Sequence, residues 1–334
     1  MRILKRILLS LVTLAVVLSV TGAAYQWLAE RSDLQRFPPP GSMVDVDGLQ
    51  MHLDCRGNGR PLVLMEAGLT TGSWSWGRVP AGLREVTEVC TYDRPGMGWS
   101  EPIHHPADAG EVADRLHRLV GLAPIEGPYV LLGMSAGGVY VREYYRRYPD
   151  DVVGMVLVDS SHEQQGNRLP ESGDPSQMER MLTLCRWLAP VGVVRLSGAL
   201  DMLTDQPGIP ETAKPLLKAL YNRTTYCRGI SNEMQAFAGD VRDVDPPASL
   251  GDLPLVVLSQ GKEPEADETF GMTLEQARAM RREWDVLQQE LTALSSRGER
   301  FVAEESGHPI QLEQPELVID TVTDLIRVLR APSG

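Results

Sequence analysis

After residue 42 the chain alternates short apolar runs with longer amphipathic ones, and this alternation restricts the fold more than any other feature. The runs at 62–65, 129–132 and 152–158 are apolar along almost their whole length rather than at every second position. Such runs predict strands that are buried on both faces. Strands that alternate with helices favour a parallel sheet covered by helices on both sides. We therefore expect an α/β fold with a mostly parallel sheet.

The remaining apolar segments extend this pattern over most of the chain. Asp47-Gly48, between the runs 44–46 and 49–54, is typical of a hairpin turn. Further strands are predicted at 89–92, 255–258 and 301–303, and helices are predicted at 76–86, 111–122, 137–148, 277–294 and 315–329.

Residues 165–248 interrupt the alternation. They contain helix-like stretches at 178–189 and 213–221 but no convincing strand. We interpret 165–248 as a helical cap inserted between the two parts of the core, 43–164 and 249–334.

The first 30 residues differ in composition from the rest of the chain. Arg2, Lys5 and Arg6 precede a stretch, 7–27, that contains no charged residue. This stretch exceeds the ~7–15 apolar residues of a secretory signal and fits the roughly 17–25 residues of a membrane-spanning helix. We therefore predict that residues 1–30 form a membrane anchor that crosses the bilayer through 7–27.

Two alternatives are open for this segment. The weak cleavage-like patch at 21–24 is consistent with a signal whose residues 1–24 are removed, and a helix of a soluble domain is the other. Because basic residues tend to stay in the cytoplasm, an anchor or a signal places the rest of the chain outside it, membrane-anchored or else secreted or periplasmic. The Pro-rich residues 31–42 are expected to form a stiff, extended linker.

The composition excludes several classes of protein. With 32 Lys and Arg against 45 Asp and Glu, the net charge of −13 disfavours nucleic-acid binding, which needs clustered basic residues. Hydrophobic residues at 43% and charged residues at 23% are ordinary for a globular protein and exclude a disordered chain. The four cysteines form no CxxC pair or Cys/His cluster, so no metal site is predicted.

The segment Gly133-Met134-Ser135-Ala136-Gly137 matches the pattern G-x-S-x-G between a predicted strand and a predicted helix. A sharp strand-to-helix turn holds such a serine in a strained conformation with its hydroxyl exposed. The two glycines leave room for the turn, and the amino end of the following helix faces any negative charge that develops. This setting favours a nucleophilic Ser135 over a plain Gly-rich turn before a buried helix.

A serine nucleophile needs a base, and the chain has six histidines. Only His308 follows the last predicted strand, at the edge of the sheet where Ser135 is also expected. We therefore predict His308 as the base. His52, in the hairpin, and His117, on a helix, are expected to be structural, and His162, near the same edge, is a candidate substrate contact.

Two backbone N–H groups are needed to hold a developing oxyanion. The amide of Ala136 directly follows the serine and is the first candidate. The loop 66–69 follows the third strand, and its Gly68 allows a close approach of the backbone. We predict the amide of Leu69 as the second donor.

Five segments, in this order, resemble the α/β-hydrolase superfamily, in particular its epoxide-hydrolase/esterase-like branch with a helical cap. They are Glu66-Ala67-Gly68-Leu69, 92–100 (YDRPGMGWS), 133–137 (GMSAG), 156–159 (VLVD), and Gly307-His308 followed by 314–317 (QPEL). The resemblance covers residues 43–330. It implies an α/β-hydrolase fold, with an eight-stranded, mostly parallel sheet, helices on both faces and the inserted cap.

Two positions depart from the pattern of this branch. Glu66-Ala67 stands where many relatives have His-Gly, and Met134 stands where His is common. The nucleophile is informative as well, because true epoxide hydrolases and haloalkane dehalogenases of this superfamily use an aspartate. Ser135 argues against both activities.

The resemblance offers two candidates for the acid that orients the histidine. Most of the superfamily places it after the seventh strand, where Glu263 is the best match and no aspartate occurs before Asp267. Some relatives place it after the sixth strand, which is the position of Asp159. We favour Asp159, with Glu263 as the alternative.

Together these residues imply a serine hydrolase, and we expect a carboxylic-ester hydrolase that needs no metal or organic cofactor. The expected substrate is a small-molecule ester or amide; its acyl chain and the oligomeric state of the protein are not predicted. One alternative is an aminopeptidase of the iminopeptidase type, which needs a cap carboxylate for the substrate amine: Glu179, Glu211 or Glu233. Another is a catalytically silent ligand-binding protein on the same fold.

The fold also bears on the cysteines. In the α/β-hydrolase fold the second and fourth strands are neighbours, so the resemblance implies that Cys55 and Cys90 can pair in an oxidising compartment. Cys185 and Cys227 both fall in the cap, and we predict a second disulfide between them. The alternative is four buried free thiols.

Overall fold

One sheet of eight strands lies at the centre of the computed structural model, which describes residues 1–170, 175–242, 245, 247–266 and 272–331. The strands are β1 (Ser42–Val46), β2 (Leu49–Arg56), β3 (Leu62–Glu66), β4 (Val89–Tyr92), β5 (Tyr129–Met134), β6 (Val152–Val158), β7 (Leu255–Gln260) and β8 (Gly298–Ala303). Their order across the sheet is β1-β2-β4-β3-β5-β6-β7-β8. The β1–β2 and β2–β4 pairs are antiparallel and the other pairs are parallel, which confirms the predicted α/β fold.

Helices account for most of the remaining structure in the described ranges. They are α1 (Arg2–Arg36), α2 (Val79–Leu83), α3 (Ala109–Leu122), α4 (Ala136–Arg147), α5 (Gln165–Arg168), α6 (Pro175–Leu188), α7 (Val193–Ser197), α8 (Lys214–Tyr221), α9 (Tyr226–Asp240), α10 (Leu274–Thr292), α11 (Ile310–Glu313) and α12 (Pro315–Arg330). Short 3-10 turns lie at Ser73–Trp76, Pro149–Asp151, Ala189–Val191 and Asp201–Thr204.

Both faces of the sheet are covered, as the alternation of strands and helices predicts. Leu62 and Leu64 of β3 pack in one apolar cluster with residues of α3, α4 and α10. Val63 and Met65 of the same strand pack in a second cluster with residues of α2 and α12. Because successive residues of a strand point to opposite faces, one short strand contributes to both cores.

The helix predicted at 76–86 is wrong in extent. The chain forms a 3-10 turn at Ser73–Trp76 and then only the short α2. Gly77 separates the two with a φ of 54°, a conformation that glycine adopts readily. A Cβ at this position would also lie 2.9 Å from a side-chain carbon of Leu312.

The segment 165–248, predicted as a cap, contains α5 to α9 and no strand among its described residues. Helix α9 has no counterpart among the predicted elements, because it contains two glycines, a serine and an asparagine, which are weak helix formers. It is stabilised by packing instead. Tyr226, Ile230 and Phe237 are buried, and a Cβ on Gly229 would lie 2.8 Å from the carbonyl oxygen of Gly96.

The N-terminal helix α1 is longer than the predicted anchor. It runs to Arg36, so the first half of the predicted linker 31–42 is helical and the extended part begins at Phe37. The helix ends there because Pro38 disfavours a helical conformation in the residue before it. An 18-residue window of α1 has a mean hydropathy of 2.3, and none of that window is buried in the protein.

The second half of α1 packs on the cap. Gln26 is 2% exposed and donates a hydrogen bond to the carbonyl oxygen of Asn222 at 2.7 Å. Arg195 binds the carboxylate of Asp33 at 2.7 Å. The helix is therefore joined to the cap by direct contacts as well as to the sheet by the linker.

Both predicted disulfides are present in the structure. Cys55 and Cys90 lie opposite each other in the register of β2 and β4, with an S–S distance of 2.05 Å. Cys185 and Cys227, with an S–S distance of 1.96 Å, join α6 to α9. The alternative of four free thiols is wrong.

A buried ion pair holds the loop that follows β4. His52 Nδ1 lies 2.8 Å from Asp93 Oδ2, and both side chains are fully buried. The carboxylate of Asp93 also accepts hydrogen bonds from the backbone amides of Ser73 and Trp99. His52, predicted to be structural, therefore helps to join the hairpin to the loops after β3 and β4.

We expect Asp93→Ala to lower the free energy of unfolding by about 3–5 kcal/mol, the usual cost of removing one partner of a buried ion pair. Chemical denaturation in detergent solution measures the change. As a matched control, Glu316→Ala removes an exposed carboxylate that is bonded to Arg78 and should cost at most about 1 kcal/mol. Equal losses in the two variants would contradict the role assigned to Asp93.

The pH dependence of this stabilisation follows from two opposed pKa shifts. Burial disfavours both charges, but the contact with Asp93 raises the pKa of His52 above 6.5, and the contact with His52 lowers the pKa of Asp93 below 3.8. The pair should therefore stabilise the fold most between pH 3.8 and 6.5. Its contribution should fall as pH rises through the raised pKa of His52 or drops through the lowered pKa of Asp93.

Candidate active site

The carboxyl ends of β3, β5, β6, β7 and β8 meet at one edge of the sheet, because these strands are adjacent and parallel. Each segment predicted to carry the site follows one of them. The loop 67–71 follows β3, Ser135 follows β5, Asp159 follows β6, Glu263 follows β7 and His308 follows β8.

Ser135 occupies a strained turn between β5 and α4. Its φ is 53° and its ψ is −124°, values that residues other than glycine rarely adopt. A Cβ on Gly137 would lie 2.3 Å from the carbonyl oxygen of Glu66, and one on Gly133 would lie 2.7 Å from the carbonyl oxygen of Gly137. Both glycine positions therefore exclude a side chain. Ser135 itself is partly exposed and lies at the amino end of α4.

The structure brings His308 and Asp159 together. His308 Nδ1 lies 2.6 Å from Asp159 Oδ2, and the carboxylate is fully buried. Asp159 Oδ1 accepts hydrogen bonds from the indole N–H of Trp284 and the backbone amide of Gln260, each at 3.0 Å. These two donors fix the plane of the carboxylate and leave Oδ2 for the imidazole, whose Nε2 is then the nitrogen available for a proton transfer.

Glu263, the alternative acid, is exposed, and within the described part of the chain no hydrogen bond joins it to His308. Asp267 lies outside the described residues. The segment after β7 supports the histidine loop through its backbone instead. The amide of Lys262 donates to the carbonyl oxygen of Ser306 at 3.0 Å, two residues before the imidazole.

The loop 67–71 is held by Arg94, whose side chain is 3% exposed. Arg94 Nη1 donates to the carbonyl oxygen of Ala67 at 2.8 Å, and Nη2 donates to that of Gly68 at 2.7 Å. In a trans peptide the C=O and the N–H of one unit point in opposite directions. Anchoring the carbonyl of Gly68 therefore directs the amide of Leu69 away from Arg94.

The same loop lies beside the serine. A Cβ on Gly68 would lie 3.4 Å from the Cβ of Ser135 and 2.7 Å from the sulfur of Met134. The amides of Leu69 and Ala136 donate none of the hydrogen bonds in the described ranges. Ala136 is the first residue of α4, where a backbone amide has no acceptor within the helix. Both predicted donors are therefore available to an anion.

Helix α9 of the cap completes this network, which the sequence did not reveal. Glu233 binds Arg94 Nε at 2.7 Å and accepts a hydrogen bond from the amide of Thr70 at 2.7 Å. Tyr226 donates to the carbonyl oxygen of Thr70 at 3.2 Å. Thr70 has a φ of 62°, so the cap holds the loop in a conformation that is unfavourable for a β-branched residue.

Glu66, one of the two departures from the family pattern, is the second partner of Arg94. Its side chain is 1% exposed, and it also accepts a hydrogen bond from the hydroxyl of Tyr92. Burial raises the pKa of the Glu66 carboxyl, and the guanidinium of Arg94 opposes that rise. Glu66 at this unusual position was the one sequence signal that could have pointed to a buried cation behind the loop.

Of the two remaining predicted histidines, His162 is buried and the side chain of His117 is 42% exposed. His162, a candidate substrate contact, is 1% exposed, and its Nδ1 accepts a hydrogen bond from the amide of Gln164. Burial lowers the pKa of His162 below 6.5. His117 stacks on Tyr148 with ring centroids 3.7 Å apart, as expected for a structural residue.

Two further observations concern cavities and metal ions. A cavity of about 750 Å³ lies beside α3 and α4, and its lining includes none of Ser135, Asp159 and His308. Among the described residues, no group of three or more His, Cys, Asp and Glu side chains is placed to hold a metal ion.

Comparison with known sequences gives a family and two informative relatives. The sequence model of the alpha/beta hydrolase family matches residues 62–321. An AB hydrolase superfamily protein of Gibberella zeae is 25% identical over 331 residues, which covers 89% of this chain and 98% of that protein. An uncharacterized protein of Schizosaccharomyces pombe is 40% identical over 117 residues, 35% of this chain, and the match spans only 21% of that longer relative.

Among solved structures, that of a bacterial membrane phospholipase A is similar to this chain along nearly its whole length. The two superpose with a TM-score of 0.60 at 22% identity, and the match covers 98% of this chain and 100% of the other. At this level of identity the likeness shows a common fold.

We expect Glu233→Gln to slow the labelling of Ser135 by a fluorophosphonate roughly 10-fold, less than the ~10²–10³ lost with an oxyanion donor itself. The substitution removes the charge that holds Arg94 and keeps the shape of the side chain. The phosphonyl oxygen occupies the place of an oxyanion, so the rate of labelling reports on the amide of Leu69.

The matched control is Glu179→Gln, which changes an exposed carboxylate of the same cap and should label at the wild-type rate. An unchanged rate for Glu233→Gln would show that the cap does not orient this loop.

Proposed function

The chain belongs to the alpha/beta hydrolase family, and we propose that it is a serine hydrolase that cleaves carboxylic esters through an acyl-enzyme on Ser135. The observation that carries this proposal is the 2.6 Å contact between His308 Nδ1 and Asp159 Oδ2, at the sheet edge that also carries the strained Ser135. An Asp–His pair at the same sheet edge as a serine on a strand-to-helix turn is the arrangement expected where a hydroxyl is activated as a nucleophile.

In the proposed reaction the hydroxyl oxygen of Ser135 attacks the carbonyl carbon of the ester while His308 Nε2 takes its proton. Asp159 accepts the Nδ1–H of His308, which leaves Nε2 unprotonated before the attack and stabilises the imidazolium after it. The amides of Ala136 and Leu69 donate hydrogen bonds to the oxyanion. His308 then protonates the leaving alcohol, and a water molecule activated by the same imidazole releases the acyl group.

We assign the acid to Asp159 rather than Glu263. Asp159 is buried against the imidazole, and the indole of Trp284 and the amide of Gln260 hold its second oxygen. Glu263 is exposed on the neighbouring loop. A fixed carboxylate orients an imidazole better than a mobile one, because the correct tautomer and ring position depend on a constant acceptor.

The alternative of an iminopeptidase-type aminopeptidase is not favoured. Of its three candidate carboxylates, Glu233 is already bonded to Arg94 and to the backbone of Thr70, and Glu179 and Glu211 are exposed in the cap. A carboxylate engaged by a buried guanidinium cannot leave it for a substrate ammonium without uncovering that charge. The presence of serine, histidine and acid together argues against a silent ligand-binding protein.

We further propose that α1 is a retained membrane anchor, with the domain after it outside the cytoplasm. The helix is long and apolar enough to cross a bilayer, and its basic start matches the side that stays in the cytoplasm. Gly22 lies against the 3-10 turn at Ala189–Val191, since a Cβ there would lie 2.2 Å from the carbonyl oxygen of Val191. Removal of residues 1–24 would abolish that contact, and two disulfides suit an oxidising compartment.

Ser135→Ala and His308→Ala should each lower ester turnover on the order of 10³-fold or more, because nucleophile and base act as a unit. The assay is a panel of esters of varied acyl length run beside aminoacyl amides, with unfolding measured in parallel as the control for folding. Robust ester turnover by Ser135→Ala would overturn the serine mechanism, and turnover of amides without esters would favour the aminopeptidase.

Asp159→Asn should lower kcat by roughly 10⁴, as a wrongly held imidazole tautomer does in serine proteases. Glu263→Gln, a matched loss of one carboxylate charge at the same sheet edge, should leave kcat unchanged. The reverse pattern would move the acid to the loop after β7.

The proposal that α1 is a retained anchor predicts the mass of the mature chain. Protein extracted from membranes should retain residues 1–24 when intact mass is measured, and it should resist extraction at alkaline pH. A mature chain that begins after residue 24 would show instead that the segment is a cleaved signal.

A further inference from the structure

We propose that one face of the cap lies in the lipid interface of the bilayer that α1 enters, so that the protein touches the membrane at two places. The face, called here the cap apolar surface, consists of Met181, Leu184, Trp187, Val193, Leu196 and Met202. The inference rests on the proposed anchor and is independent of the proposed ester chemistry.

The side chains of this surface are exposed although they are apolar. Trp187 is 75% exposed, Leu196 is 69% exposed and Leu184 is 59% exposed. Met181, Leu184 and Trp187 recur at every third position of α6, so they follow one another along one side of the helix. Cys185 and Leu182 of the same helix face inward, so the exposed side is a second apolar face that the protein itself does not cover.

The exposed apolar side chains are clustered in the cap rather than spread over the protein. Among the described residues after α1, twelve large hydrophobic side chains are exposed, and six of them lie within 181–202. Single exposed apolar residues are ordinary, whereas a group concentrated on two adjoining helices is typical of a surface that meets a partner or a membrane.

The bilayer is the occupant that the position of α1 favours. At 1.5 Å per residue, about 20 residues cross the ~30 Å hydrocarbon core, so a span that starts after Arg6 ends near Gln26. Gly22 and Gln26 are the first residues along α1 for which contacts with the cap are described, and Asp33 follows further along the helix. The contact at Gly22 is with the 3-10 turn Ala189–Val191, which links α6 to α7, the two helices that carry most of the cap apolar surface.

The residue types fit the depth that this geometry implies. Tryptophan is enriched where hydrocarbon meets headgroups, because one part of its ring is apolar and the N–H is polar. Arg186, between Leu184 and Trp187, is exposed as well, and a long basic side chain can cover apolar surface with its stem while its charged end stays in water. The combination of apolar side chains with a tryptophan and an arginine suits an interface better than the hydrocarbon centre.

Quenching of tryptophan emission by brominated lipids tests the inference. Full-length Trp27→Phe protein, which lacks the tryptophan of α1, is reconstituted in vesicles of equimolar phosphatidylcholine and phosphatidylglycerol with brominated acyl chains. We expect it to lose emission relative to vesicles of unbrominated lipid. The double variant Trp27→Phe/Trp187→Phe should lose almost none, which assigns the quenching to Trp187.

The matched control moves the reporter to the opposite end of the sheet. Leu122 is 59% exposed at the end of α3, close in the chain to the amino end of β5, whereas the site and the cap lie at the carboxyl ends. Leu122→Trp in the double variant should emit without quenching. A Trp27→Phe protein that also carries Leu184→Glu and Leu196→Glu should no longer show quenching of Trp187. It should still attach to vesicles and turn over a soluble ester.

The outcomes separate the proposals. Unquenched Trp187 in protein that sediments with the vesicles would overturn the cap contact and leave the anchor and the hydrolase standing. Unquenched Trp187 together with a cross-linked dimer would assign the cap apolar surface to a second copy of the chain. That result would also overturn the contact of the cap with the membrane. Protein that fails to sediment with vesicles would overturn the anchor and the cap contact together, while the ester assay reports on the hydrolase separately.

Discussion

The burial of one guanidinium, that of Arg94, is the constraint on which the arrangement of the site depends. It lies between the carboxylate of Glu66 at the end of a central strand and that of Glu233 in the cap. A buried charge that loses a partner costs several kcal/mol, so the sheet and the cap are held at a fixed distance. The remaining N–H groups of Arg94 bind carbonyl oxygens of the loop 67–71. The hydrogen bonds that the guanidinium of Arg94 donates therefore also fix the orientation of the peptide groups beside Ser135.

The centre of the fold could be predicted because burial on both faces of a parallel strand leaves little choice of residue type. β4 and β6 were predicted with the bounds that the structure shows. The serine turn could be located for a related reason. Close contacts of Gly133 and Gly137 with backbone oxygens exclude any side chain, so the turn requires glycine at both positions and the two glycines are visible in the sequence. His308 followed from the order of the strands.

The parts that could not be predicted depend on contacts between residues far apart in the chain. The helix predicted at 277–294 contains Trp284, but the sequence does not show that its indole N–H binds the carboxylate of Asp159. Neither that bond nor the one between Arg94 and Glu233 has a periodic or local signature. The choice between Asp159 and Glu263 depends on how two neighbouring loops leave the sheet, and spacing alone does not contain that information.

The bond between Glu233 and Arg94 has a consequence for movements of the cap. Helix α9 is held to the core by this bond and to α6 by the cap disulfide. Lifting α9 from the core would separate Glu233 from both Arg94 and the backbone amide of Thr70. A displacement of α9 therefore also releases the loop 67–71. The cap and this loop are coupled, so the cap cannot open without disturbing the peptide groups beside Ser135.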